Sequence, residues 1–286
     1  MSSFEDSDEE FEDAAFRRYA AARRRQLSAT GEVAGVQQDA LPYSLDDGSS
    51  ETKWATLGPA TSTGAVASRL QFWHRAACLE DLTVGANDTV VTGVRLWPAC
   101  IGLASVLEQR SRTDRDAFSG MRALELGAGV GVSGIMLAKC GAACVTLTDN
   151  QPPILSLLRR NVAENAVGGR CRVAHLAWER PEELRMGAES LDLILGSDVV
   201  YGGPKNGLLL LEALGQIIRL YGHPGTAVLL AFGCRSRGSD DHVGFLRAAR
   251  AAMYEVTHLE LDEAVAAEVD DGVDVVELKL GADWEP

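Results

Sequence analysis

The sequence has no apolar run of about 18 residues, the length a membrane helix needs, so no membrane span is predicted. Its six cysteines include no C-x-x-C pair. Cys78, Cys100, Cys140, Cys144, Cys171 and Cys234 fall inside apolar patterns, which predicts buried free thiols in a reducing compartment. The five histidines are scattered without ligand spacing, so no metal site is expected. Met1 opens an acidic segment, not a basic stretch followed by an apolar one, so no secretory leader is expected. A cytoplasmic or nuclear location is the expectation. Basic residues are also short: 27 Lys and Arg face 41 Asp and Glu, a net charge of −14. That balance argues against nucleic-acid backbone as a partner and favours basic partners.

The 286 residues could hold one large domain or two small ones. Residues 1–67 differ from the rest. An acidic block, FEDSDEEFED, runs from Phe4 to Asp13, and Arg17, Arg18 and Arg23 to Arg25 follow it. Beyond Ser28 the composition is Gly, Ser, Thr, Asp and Pro with little periodicity. The expectation is a largely disordered extension over 1–67 and a folded domain over 68–286. Within that domain RLQFWH (Arg69 to His74), CLEDLTV (Cys78 to Val84) and TVVTGV (Thr89 to Val94) read as short strands. Leu96 to Arg110 reads as a helix with Pro98 in its first turn.

The densest signal is RALELGAGVGVSG, Arg122 to Gly134. It reads as a buried strand, a glycine turn and the start of a helix at Val132. Gly127, Gly129 and Gly131 remove Cβ atoms and allow positive φ, so the backbone can approach a ligand closely. The helix points its free N–H groups and positive dipole end back at the turn, which makes a nucleotide-cofactor site. Gly129, Gly131 and Gly134 also satisfy G-x-G-x-x-G, so a dinucleotide reading stays formally open. Two carboxylates pull the other way. Glu125, before the turn, suits the positive amino-acid end of a cofactor better than a pyrophosphate. Asp149 ends the next strand, placed to bind both ribose hydroxyls. Together they favour S-adenosylmethionine over NAD.

Alternation continues downstream. A helix follows Asn150, expected as its cap, and opens with Pro152 and Pro153. Strands follow at Cys171 to Ala177, Ser190 to Asp198 and Thr226 to Phe232, with helices at Lys205 to Leu220 and Val243 to Met253. Two last strands, Tyr254 to Leu261 and Val273 to Leu280, have no helix between them and must be antiparallel. The predicted fold is α/β: a seven-strand Rossmann-like sheet, helices on both faces, and a C-terminal antiparallel hairpin.

Four motifs carry a family resemblance: G-V-R-L-W-P-A, E-L-G-A-G-V-G with L-T-D, L-A-W-E, and S-D-V-V-Y. Over roughly Leu70 to Leu280 the chain resembles the family-16 protein-lysine methyltransferases, seven-strand enzymes that use S-adenosyl-L-methionine. The resemblance implies that Trp97 lies near the methionine end of the cofactor. It places Gly127, Ala128 and Gly129 along the amino-acid and ribose portion, and Asp149, with Asn150 beside it, at the ribose. It sets Trp178 beside the adenine and Ser197 against the cofactor. Asp198 and Tyr201 match the family's D-x-x-Y at the substrate entrance and are the implied catalytic pair. Arg237 falls near a family arginine in a loose alignment. The implied partner is a protein presenting a lysine, in a basic segment. A small-molecule or protein-histidine N-methyltransferase, an NAD-binding oxidoreductase and a non-catalytic cofactor-binding module remain as alternatives.

Overall fold

In the computed structural model the described residues are 36–44, 51–57, 70–75, 92–94, 96–187, 190–233, 241–261, 266 and 272–281. The glycine turn sits at the centre of a seven-stranded sheet. Its strands are β4 (Arg122–Leu126), β5 (Cys144–Asp149), β6 (Cys171–His175), β7 (Leu193–Ser197), β8 (Ala227–Gly233), β9 (Tyr254–Leu259) and β10 (Val273–Leu280). They lie in the order β6-β5-β4-β7-β8-β10-β9. The first five pair in parallel, and β10 is antiparallel to both β8 and β9. The expected fold is therefore present, hairpin included. Helix α5 (Asp241–Ala251) carries the chain from β8 past a vacant position to β9, and β10 returns to fill it.

The crossover helices are α1 (Pro98–Thr113), α2 (Val132–Lys139), α3 (Pro152–Glu164) and α4 (Pro204–Tyr221). Strands buried on both faces read as apolar runs, and β4 and β7 do so. One core packs α1, α2 and α3 against one face; the other packs α4 and α5 against the opposite face. Alternation along β4 divides its residues between them. Ala123 joins the first core, while Leu124 and Leu126 join the second.

Two helix starts are fixed by proline, which drives the preceding residue into extended backbone. Trp97 before Pro98 has φ −98° and ψ 145°. Gln151 before Pro152 has φ −105° and ψ 119°, and it, not Asn150, is the cap residue of α3. The expected capping by Asn150 is thereby corrected. Gly141, with φ +109°, follows the last turn of α2, a position where glycine commonly ends a helix.

A smaller antiparallel sheet precedes this unit: β1 (Val36–Ser44), β2 (Glu51–Leu57) and β3 (Leu70–Arg75). β2 pairs with both neighbours, and β3 lies against α2 and α3. β1 and β2 lie N-terminal to residue 68. Ladder hydrogen bonds need no periodic apolar pattern, which is why composition did not mark β1 and β2. The remainder of 1–67, and the strand expected at Cys78 to Val84, lie outside the described residues. Thr92–Val94, expected as the end of a strand, is a single 3-10 turn. No helix among the described residues is long and apolar enough to cross a membrane.

Candidate active site

The strand β4 delivers Leu126 to a loop in which Gly127 and Gly129 have φ +56° and +54°. A side chain at Gly129 would meet a second obstacle: its Cβ would lie 2.9 Å from the Gly93 carbonyl oxygen. The loop is tied to β5 by the Ala128 N–H, which donates to the Thr148 carbonyl at 2.8 Å. It is also tied to Asp149, whose Oδ2 accepts the Gly129 N–H at 3.3 Å. Asp149 Oδ1 accepts the Gln151 N–H at 3.1 Å. Burial pushes the Asp149 carboxyl up, and the N–H groups of Gln151, Gly129 and Asn150 pull it back.

Ten expected residues come together around one cavity of about 260 Å³. Gly127, Ala128 and Gly129 line one side, with Asp149 and Asn150 beside them. Trp97 reaches it from the start of α1, and Trp178 from the chain beyond β6. The Trp178 ring lies 3.8 Å from where a Gly127 Cβ would stand. Ser197, Asp198 and Tyr201 enter from the end of β7, the carboxyl edge where ligands bind in open α/β sheets.

Glu125 is the exception. Because side chains alternate along β4, it shares a face with Ala123 and points under α2, not into the cavity. Its Oε2 accepts the Gly134 N–H at 3.0 Å. Gly134 has to be a glycine there, since a Cβ would lie 2.6 Å from that oxygen. Burial pushes the Glu125 carboxyl up to about 8, opposed by the Gly134 N–H and the neighbouring Ser133 hydroxyl. The sequence placed Glu125 correctly in the motif but not in direction.

The entrance has its own geometry. Asp198 holds φ +53°, a left-handed conformation that Asp tolerates better than most residues, and its N–H donates to the Ala231 carbonyl at 2.8 Å. Tyr201 is 41% exposed, so its ring can be reached from outside. Asn206 Nδ2 donates to the Tyr201 carbonyl at 2.9 Å, and the Gly203 N–H donates to Asp241 Oδ2 at 3.3 Å. These two bonds fix a turn that contains Gly202 and Gly203, both at positive φ.

Several lining residues escaped the sequence reading. Gly93 and Glu179 lie inside quoted motifs, and their neighbours drew the attention instead. Cys100 lines the cavity one turn into α1; its Sγ donates to the Trp97 carbonyl at 2.9 Å, and burial pushes the thiol far up. Asn206 and Leu209 reach the cavity only because α4 starts beside Tyr201, and nothing in their spacing marks them. Arg237 lies outside the described residues.

Residues 80–249 match the family described as lysine methyltransferase. The chain is 36% identical over 155 residues to EEF1A lysine methyltransferase 3 of Mus musculus, covering 53% of this chain and 62% of that protein. It is 40% identical over 109 residues to Protein N-lysine methyltransferase METTL21A of Danio rerio, covering 37% and 47%. It is 37% identical over 111 residues to Histone-arginine methyltransferase METTL23 of Xenopus laevis, covering 38% and 45%. The chain thus spans about half the length of the curated relatives it matches. The matched residues include the glycine loop, Asp149, Trp178 and the D-V-V-Y turn, and the chain belongs to the lysine methyltransferase family.

Proposed function

We propose that this chain is an S-adenosylmethionine-dependent enzyme that methylates a lysine side chain of a protein. The observation that carries the reading is the lining of the cavity. It holds three carboxylates (Asp149, Glu179 and Asp198), two indoles and, among the described residues, no Lys, Arg or His. A pyrophosphate would meet the negative charge of these carboxylates. A cationic cofactor meets attraction, and an indole face adds to it. When bound, the cofactor supplies an already activated methyl group.

The chain's own residues then have to bind and orient. Asp149 is placed to accept from ribose hydroxyls while it holds the loop. Trp178 lies beside Gly127, where a flat base could stack, and Trp97 lines the same cavity. A lysine substrate has a reference pKa of about 10.4 and must lose a proton before it attacks. Trp97, Tyr201 and Leu209 give the entrance an apolar part that disfavours the ammonium form. Asp198 orients the amine in line with the methyl group, and Tyr201 shapes the channel. The net charge of −14 supports a target in a basic segment. Cys100 and Cys140 are buried free thiols, which supports a reducing compartment, the cytoplasm or nucleus.

An arginine target is the second reading. A relative in Xenopus laevis bears a histone-arginine methyltransferase name, and lining carboxylates would suit a guanidinium as well as an ammonium. One experiment separates the two. The purified full chain is incubated with radiolabelled cofactor and a cell extract, and the labelled residue is located by mass spectrometry. Methyl-lysine supports the first reading. Methyl-arginine, methyl-histidine or a labelled metabolite removes it.

A further inference from the structure

Among the described residues, none stands by Glu125, behind the cavity, to balance its charge. It is fully buried, and beyond the Gly134 bond its Oε1 has no hydrogen-bond partner. The buried Ser133 hydroxyl stands beside the carboxyl and eases its charged form. Glu125 forms no ion pair among the described residues. An ionised carboxylate with one backbone donor, one neighbouring hydroxyl and no counter-charge among the described residues is expensive in an apolar interior, and such a group neutralises instead. The groups that face it are Cys100 from α1, Ser133 and Gly134 from α2, Asp149 from β5 and Cys171 from β6. Asp149 adds to the effect of burial and does not relieve it.

The cavity begins close by. Gly127, two residues on, lines it, as does Cys100, whose thiol feels both Glu125 and Asp198. Glu125 is fully buried, so charge placed in the cavity acts on it with less screening than it would in water. This rests on the cofactor reading above. We propose that Glu125 is the site's titratable counter-charge, neutral in the free protein and ionised when a cationic cofactor occupies the cavity, so that binding releases a proton.

The balance is simple. The carboxylic acid loses its proton to solvent, no other bond changes, and the new carboxylate, behind the glycine loop, would offset the positive charge of the bound cofactor. A carboxyl held near 8 is mostly protonated at pH 7 and has a proton to give. Cofactor affinity and proton binding are then linked.

The test is calorimetry on the full chain with S-adenosylmethionine, repeated between pH 6 and 9 in buffers of different ionisation enthalpy. Release should approach about one proton per cofactor at pH 7 and fade as the pH passes through about 8, and affinity below that pH should rise by up to about tenfold per pH unit. Glu125→Gln, which keeps the shape and cannot ionise, should show no release and a flat affinity profile. Should the variant not fold, the wild-type profile decides by itself. Binding without proton release at pH 7, or equal release by Glu125→Gln, overturns the inference and leaves the cofactor reading standing. No binding at any pH overturns both.

Discussion

Asp149 Oδ2 accepts the Gly129 N–H at 3.3 Å, which locks the carboxylate at the end of β5 to the middle of the glycine loop. A residue read as a ribose ligand is thus also part of the loop's scaffold. Asp149→Ala removes both roles. Each charge-assisted bond is worth roughly 1.5–3 kcal/mol, so cofactor affinity should fall by about tenfold or more. Asp149→Asn keeps one acceptor for the loop and should lose less. Calorimetry with S-adenosylmethionine checks both, and unchanged affinity in the alanine variant would count against the ribose role.

Gly129→Ala should destabilise the fold as well as the site. The new Cβ meets the Gly93 carbonyl oxygen at 2.9 Å in a backbone with φ +54°. Strain of this kind costs on the order of 1–3 kcal/mol. Gly141→Ala is the informative partner, since φ is +109° there but nothing lies within 4 Å. Gly168→Ala has open space and no positive φ, and should be neutral. Thermal melting should rank them Gly129, Gly141, Gly168 from most to least damaging. A Gly129→Ala melting point equal to that of Gly168→Ala would refute the account.

A buried carboxyl and a half-buried one give the pH dependence of stability opposite signs. Glu125, raised to about 8, keeps a proton in the folded state that the unfolded chain has lost. Its contribution is therefore present below the unfolded value near 4.5 and is lost as pH rises toward 8. The slope is at most about 1.4 kcal/mol per pH unit. In cofactor-free protein, Glu125→Gln should flatten the decline in melting temperature between pH 5 and 8. Burial pushes Glu277 up as well, but Lys279 at 3.1 Å and Arg110 at 3.0 Å outweigh it and hold the carboxyl low. Its contribution is present above the unfolded value and is lost as pH falls through the folded one. Glu277→Gln should soften the acid limb alone. A decline above pH 5 that Glu125→Gln leaves intact would show that another group is responsible.

The parallel sheet was legible because most of its strands carry apolar runs closed by turns, and because β9 and β10 lack a helix between them. The site was legible where one residue type is demanded by one position, as at Gly129 and Asp149. Direction was harder to read. Glu125 differs from Leu126 by one residue, and that step sends its side chain to the other face of the sheet. β1 and β2 carry no periodic pattern, and the pairing of β1 with β2 and of β2 with β3 rests on backbone hydrogen bonds. Asn206 was invisible for another reason: it holds a carbonyl, and any residue could supply that carbonyl.

The last expectation concerns the entrance. Asp198 sits at the carboxyl edge of β7 in a left-handed conformation, with its N–H bound to Ala231. That backbone aims the residue at the cavity it lines. Under the proposed reaction its carboxylate touches the nucleophile and not the ribose or the base. Asp198→Asn should keep the fold and leave cofactor affinity within a few-fold, while turnover falls by about a hundredfold or more, the range of a positioned acid–base or orienting group. Tyr201→Phe keeps the ring at the mouth and should lose much less. Asn206→Ala frees the Tyr201 carbonyl and should act as a weaker version of a Tyr201 change, through the turn it holds. Single-turnover labelling, with cofactor affinity measured on the same preparations, separates these effects. An Asp198→Asn protein that binds cofactor a hundredfold more weakly, yet transfers methyl at the normal rate once saturated, would move Asp198 from the nucleophile to the cofactor.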